Sequence, residues 1–261
     1  MTALDAAAGA TLPQRGAATP RGGATMAGAT PPHGGAATPP AAGAAPRHVS
    51  PLPADLLYGR LLATAAQHGL SPRAGIRLAD GRLEPLEIDR WLADADAVDE
   101  QVLAGVEAPV LDLGCGPGRH LAALAAAGKR GLGVDLSAVA VEIARGRGAD
   151  AINASLWSRI PGRWRTILLL DGNIGIGGAP TLLLRRAGQL LAAGGAIVVE
   201  VDPPGCPTQR VRVRLEAPGV VSEWFRWARV GVDGVDAVAR RAGFAVTDVR
   251  ELAGRTFVTL R

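Results

Sequence analysis

The sequence predicts a doubly wound α/β domain built on a mostly parallel sheet. Short runs rich in Val, Leu and Ile recur at residues 110–113, 131–136, 151–152, 167–170 and 196–201. Between them lie stretches with helical spacing, at 121–127, 137–147 and 182–191, the last followed by Gly194-Gly195 as a helix stop. The first run also leads directly into a glycine-rich turn and a helix, the entry of a strand–helix–strand unit.

The flanking segments follow from composition and turn signals. The 261 residues include 35 glycines and 19 prolines. Residues 1–50 hold 15 Gly or Pro, 16 Ala and no aromatic residue. Such a segment cannot offset an ordering entropy of about 1–2 kcal/mol per residue, so a disordered tail is expected there. Its crude repeats at 16–20, 28–32 and 35–40 are too short to be solenoid units. Residues 51–108 read as a small helical N-terminal cap. One helix carries Leu56, Leu57, Tyr58, Leu61 and Leu62 and stops at Gly69; a turn follows at Asp80-Gly81; a second helix spans 87–103. Residues 109–261 form the main domain, with 203–231 as an inserted, substrate-side segment. In it, strands at 211–215 and 221–229 flank Pro218-Gly219. A helix at 235–242 and a hairpin about Ala253-Gly254 complete the chain, adding an antiparallel C-terminal strand to the sheet.

Charge and cysteine content narrow the function classes. The formal charge is +4 and the pI about 10.0, because 27 of the 28 basic residues are Arg and only Lys129 is Lys. Half of the net charge falls in the tail, at Arg15, Arg21 and Arg47 against Asp5. The main domain is therefore close to neutral and no nucleic-acid partner is expected. Cys115 and Cys206 make no disulfide framework, and the apolar stretch 167–184 is interrupted by Asp171, Asn173 and Pro180. A cytoplasmic chain without membrane contact is the expectation.

The stretch 110–120, VLDLGCGPGRH, carries the functional signal. Gly114, Gly116 and Gly118 suit a tight strand-to-helix turn on which a ligand lies directly against the main chain. Asp135 ends the second strand, 21 residues after Gly114, where an acid hydrogen-bonds the ribose of an adenosine. A dinucleotide fingerprint needs Gly or Ala at position 119, which holds Arg119, a bulky residue in the way of a pyrophosphate. The spacing G-x-G-x-G instead resembles motif I of the class I S-adenosylmethionine-dependent methyltransferases, whose members read (V/L)LDLGCGPG here. The resemblance runs from about residue 75 to the C-terminus. It takes in 133–137 (GVDLS), 170–173 (LDGN) and 190–195 (LLAAGG), and is nearest to small bacterial members with DGNIGIGG, as at 171–178.

That resemblance implies a Rossmann-like fold, S-adenosylmethionine as cofactor and methyl transfer by in-line displacement to a small-molecule acceptor. It implies that Gly114, Gly116 and Gly118 cradle the methionine portion, that Asp112 helps hold its amino group and that Asp135 and Leu136 line the ribose. Cys115 lies buried against the cofactor. Asp171 and Asn173 stand beside the methyl group, with Asp171 the candidate general base. The acid that usually follows the third strand and binds adenine is missing, which leaves Ser155 and Leu156 as its substitute. Glu200 and Asp202 face either a cationic acceptor or solvent. The run 222–227 (SEWFRW) offers an aromatic wall for a planar or cationic acceptor, or else packs the insertion onto the sheet. His120 is a packing residue or a base, and no histidine has a metal-ligand partner at suitable spacing. Two rivals remain: an NAD(P)-dependent oxidoreductase and a cofactor-binding partner protein without turnover.

Overall fold

A computed structural model describes residues 50–69 and 72–261; the segment expected to be a disordered tail lies, but for Ser50, outside the described residues. The N-terminal part begins with α1 (Ala54–His68), closed by Gly69 at φ 63°, whose N–H donates to the Ala65 carbonyl. Strands β1 (Gly75–Leu78) and β2 (Leu83–Pro85) turn about Asp80-Gly81, so this region is not helical throughout. The helix expected over 87–103 is two: α2 (Ile88–Leu92) and α3 (Ala97–Ala104). Asp96 is the cause of the break. Its carboxylate accepts from the Asp99 N–H at 2.8 Å while its own N–H donates to the Asp99 carboxylate, a capping box that begins a new helix.

The main sheet follows. Strand β3 (Val110–Leu113) leads to α4 (Arg119–Ala126), β4 (Gly131–Asp135) to α5 (Ala138–Gly146), and β5 (Ala151–Asn153) to β6 (Trp164–Leu169). After a 3-10 turn over Asn173–Gly178 come α6 (Pro180–Leu190), with proline at its first turn, and β7 (Leu191–Val201). The observed β6 starts three residues before the expected strand. Strands β5-β4-β3-β6-β7 run parallel, and their order reverses direction between β3 and β6. In such sheets ligands bind at that switch point, outside the carboxyl ends of the strands. Both faces are covered. Leu111, Leu113, Ile167 and Leu169 pack with Leu183, Leu184 and Val235, whereas Val110 and Leu168 pack with Val102, Leu121 and Val141.

The inserted segment does not join this sheet. Strands β8 (Gln209–Ala217), β9 (Val220–Val221) and β10 (Phe225–Arg229) pair antiparallel with the N-terminal strands, in the order β10-β8-β1-β2, with β9 against β8. Strands from residues 75–85 and 209–229 thus build one second sheet. The strand expected over 221–229 is interrupted because the Ser222 hydroxyl accepts from the Leu215 N–H and donates to the Glu223 carbonyl. Register places Leu78, Val213 and Phe225 side by side, Ile76 beside Leu215, and Val211 beside Trp227. Helix α7 (Val232–Ala242) and the hairpin β11 (Val246–Leu252) and β12 (Arg255–Leu260) then extend the main sheet antiparallel from β7. Among the described residues no helix is long and apolar enough to cross a membrane.

The DGNIGIGG segment explains how the second sheet is seated. Strand β10 lies on the 3-10 turn, and a Cβ added at Gly175 would stand 2.2 Å from the Ala228 carbonyl oxygen and 2.5 Å from the Trp227 indole nitrogen. Backbone cannot yield there as a side-chain tip would. Gly175→Ala is therefore expected to lower the unfolding free energy by about 1–3 kcal/mol, as overpacking does. Urea denaturation measures this; an unchanged midpoint would mean that β10 does not rest on the turn.

Candidate active site

The carboxyl end of β3 feeds the glycine turn. Gly114 and Gly118 have φ 81° and Gly116 has φ 52°, a region that side chains disfavour. At Gly114 space is equally decisive: a Cβ would lie 2.7 Å from Nδ2 of Asn173. That amide donates to the carbonyls of Leu113 and Gly114, at 3.2 and 2.8 Å, clasping the loop after β6 to the turn after β3. Asp135, at the end of β4, accepts from the N–H groups of Gly116 (2.9 Å) and Ser137 (2.8 Å). Burial nonetheless leaves its carboxyl above the usual pKa. The Asn153 amide donates to the carbonyls of Asp135 and Leu136, fixing that corner.

Behind the turn lies a charge network whose pairings the sequence did not show. Arg119 holds both oxygens of Asp171, at 2.7 and 2.9 Å, and its Nε donates to Asp99 at 2.9 Å. Arg255, from β12, reaches Asp99 at 2.8 Å and both oxygens of Glu200 at 2.8 and 2.9 Å. Glu200 in turn accepts from the Asp171 N–H at 2.8 Å. Asp171 itself has φ 53°, uncommon for a residue with a side chain. Burial would raise the Asp171 carboxyl, but the Arg119 guanidinium holds it below its ordinary range. A carboxylate so held is a weak proton acceptor, which opposes the general-base role expected for Asp171. Arg119, expected to obstruct a pyrophosphate by its bulk, instead turns inward into this network.

His120 is neither simple packing nor a free base. Nε2 lies 3.4 Å from Asp99 and Nδ1 3.7 Å from Asp112, and both Asp112 and His120 are almost fully buried. Burial would depress the imidazole, yet the two carboxylates outweigh it and raise its pKa to about 9. Asp112 therefore faces His120 on the helix-covered side of β3 and does not line the cavity described next.

A cavity of about 660 Å³ opens above the switch point, a volume typical of ligand sites. Its floor brings together Gly114, Cys115, Gly116, Asp135, Leu136, Ser155, Leu156, Asp171 and Asn173 from the expected set. Gly118 serves the turn from behind, where a Cβ would meet Ala144 at 2.6 Å. The roof is the apolar face of the second sheet, including Phe225 and Trp227, whose rings meet edge to face with centroids 6.2 Å apart. Trp224 lies outside it, under the Arg214 guanidinium. Sequence reading did not single out Arg90 or Trp157, and it placed Tyr58 in the cap without a site role; all three line the cavity. Tyr58 meets Trp91 edge to face at 5.8 Å and stands over Gly116, and burial followed by the Asp135 charge raises its hydroxyl pKa. Asp202, also at the cavity wall, is gripped by Arg229, which reaches on to Glu84.

Comparison with known proteins now adds to this geometry. Residues 110–159 match the family model described as Methyltransferase domain. A S-adenosylmethionine-dependent methyltransferase from Bacteroides fragilis, crystallised with S-adenosyl-L-homocysteine, superposes with a TM-score of 0.69. The match covers 81% of this chain and 97% of that one at 22% identity. The fold is that of a methyltransferase. The CcbJ methyltransferase from Streptomyces caelestis shares it at a TM-score of 0.56 and 16% identity, over 78% of this chain and 97% of that one. A glycopeptide N-methyltransferase, MtfA, complexed with sinefungin, shares it at 0.51 and 17%, over 65% and 87%. No curated protein matches the chain. At these identities the likeness establishes the methyltransferase fold and leaves substrate open.

The His120 environment sets a pH dependence on that fold. Its pKa is raised from 6.5 to about 9 in the folded state. The contribution of the imidazolium is thus complete below about pH 6.5 and is lost as pH rises through about 9. Between those values the wild-type chain is expected to lose on the order of 1–3 kcal/mol more stability than His120→Asn. Denaturant titrations at pH 6 and 9.5 read the difference; parallel losses in both proteins would refute it.

Proposed function

We propose that this protein transfers the methyl group of S-adenosylmethionine to a small-molecule acceptor held beneath the second sheet. The observation that carries this reading is the single cavity in which the glycine turn, Asp135 and the Asp171–Asn173 loop share one floor. The residues fit the cofactor. The main chain of Gly114 and Gly116 lines the cavity, and the Asp135 carboxylate at the cavity wall suits the two ribose hydroxyls. Leu136 and Trp157 are both more than half exposed on that wall, so two apolar side chains flank the place where adenine belongs. Ser155 and Leu156 line the same cavity.

Arg90 is assigned the methionine carboxylate. Its Nη2 is buried without a hydrogen-bond partner, 3.6 Å from Asp171 and 3.8 Å from Asp99, and it lines the cavity. Asp171, held by Arg119, presents fixed negative charge toward the amino group, and Asp112 acts from behind through His120 and the first turn of α4. Asn173 is a positioning residue that clasps the two loops; it and Asp171 mark where the acceptor meets the methyl group.

Bound in this way, the cofactor supplies a sulfonium methyl group and a good leaving group. The chain's own contribution is alignment and exclusion of water, which can lower such a barrier by about 7–11 kcal/mol. With Asp171 engaged by Arg119, no general base is assigned from this loop.

Calorimetric titration with S-adenosylmethionine, S-adenosylhomocysteine and NADPH tests the reading. The two sulfur ligands are expected to bind, and Asp135→Ala to weaken them about 10–100-fold by removing charge-assisted hydrogen bonds. Preferential binding of NADPH would overturn the proposal in favour of an oxidoreductase. Binding with no methyl transfer to any component of a cell extract would favour a partner protein without turnover.

A further inference from the structure

The acceptor side of the cavity has a chemistry of its own. Its roof is the apolar sheet face, where Leu78, Val213 and Phe225 lie in one row and Val211 and Trp227 in the next. Tyr58, Trp91 and Trp157 add rings, so five of the nine aromatic residues in the chain line this one space. Seven carboxylate side chains line it as well, against three guanidiniums. Among the described residues, neither lysine nor histidine contributes to the wall.

The excess of four negative charges is only partly answered. Arg119 serves Asp99 and Asp171, Arg229 serves Asp202 and Glu84, and Arg255, behind the wall, serves Glu200. Bound adenosylmethionine carries two cationic groups and one carboxylate, which offsets one charge more. Asp55 and Glu87 remain. Both are exposed and both line the cavity, so they stand at its mouth, and among the described residues neither side chain has an ion-pair or hydrogen-bond partner.

We infer that the methyl acceptor is an amine carried on an apolar, ring-sized body. The inference rests on the proposed transfer from S-adenosylmethionine. An anionic acceptor would meet an unanswered negative field and no uncommitted guanidinium beyond Arg90, which the cofactor carboxylate occupies. An ammonium group is drawn in by the mouth carboxylates and by the faces of the aromatic rings. Its apolar body is accommodated by the row of Leu78, Val213 and Phe225. At the solvent-exposed mouth the ammonium gives its proton to water, and the neutral amine moves on to the methyl group. Its lone pair forms the nitrogen–carbon bond as the carbon–sulfur bond breaks, with that electron pair going to sulfur. The products are a neutral thioether and an N-methylammonium, whose charge the same carboxylates and rings hold.

Three probes of one shape test this by calorimetry on protein saturated with S-adenosylhomocysteine: 2-naphthylmethylamine, 2-naphthalenemethanol and 2-naphthoate. The amine is expected to bind at least about tenfold more tightly than the naphthoate, with the alcohol between them. The Asp55→Asn/Glu87→Gln double variant changes only exposed side chains, and is expected to narrow that ratio at least about threefold. Phe225→Ala is expected to weaken all three probes. Naphthoate binding as tightly as the amine overturns the inference. So does the absence of binding by every probe to protein that does bind S-adenosylhomocysteine, and so does an unchanged ratio in the double variant. Failure of S-adenosylhomocysteine itself to bind is a different result: it overturns the proposed function, and this inference with it.

Discussion

Two guanidiniums, one buried and one half-buried, hold the cavity end of this fold together. Arg119 grips Asp99 and Asp171, and Arg255 grips Asp99 and Glu200. The residues come from α3, the start of α4, the loop after β6, the end of β7 and the start of β12. These five segments are thus fixed to one another by charge-assisted hydrogen bonds. Breaking one partner of such a buried set leaves an unpaired charge, worth about 3–5 kcal/mol. The strained backbone at Asp171 persists because its carboxylate and its N–H are both held, by Arg119 and Glu200.

That rigidity suits the methyl transfer proposed above, because an in-line displacement depends on alignment. The floor of the cavity is tied across its loops: Asn173 joins the loop after β6 to the turn after β3, and Asp135 joins the end of β4 to Gly116. The roof is attached differently. It is a separate sheet, seated by β10 on the glycines of the 3-10 turn and linked to the floor through Arg229 and Asp202. Floor and roof therefore divide the labour, with a polar, preorganised lower surface and an apolar, aromatic upper one.

Much of the floor was legible in the sequence. The strand at 110–113, the three glycines, the acid at 135 and the helix that follows are local features, set by short-range sterics and by the periodicity of buried runs. The glycines of 175 and 178 were visible too, but their reason was not, because it lies in the backbone of a strand some 50 residues later. Asp99 and Arg255 carried no readable signal, and Arg119 was legible only as bulk in the glycine turn. Their meeting spans 156 positions between Asp99 and Arg255, and nothing in spacing or composition distinguishes them from surface charges. The expected helix over 87–103 failed at Asp96 for a local reason, a capping box competing with an otherwise helical pattern.

What the sequence determined by itself was the sheet class, the glycine turn and the acid that faces it, since each follows from contacts within one strand–helix–strand unit. Only the tertiary structure decided the rest. It turned Arg119 inward against Asp171, so that the acid expected to take a proton is committed to a guanidinium. It also joined residues 75–85 with 209–229 into one roof, setting Phe225 and Trp227 over the cavity and Trp224 outside it. Long-range pairing and burial fix both outcomes, and neither leaves a periodic trace along the chain.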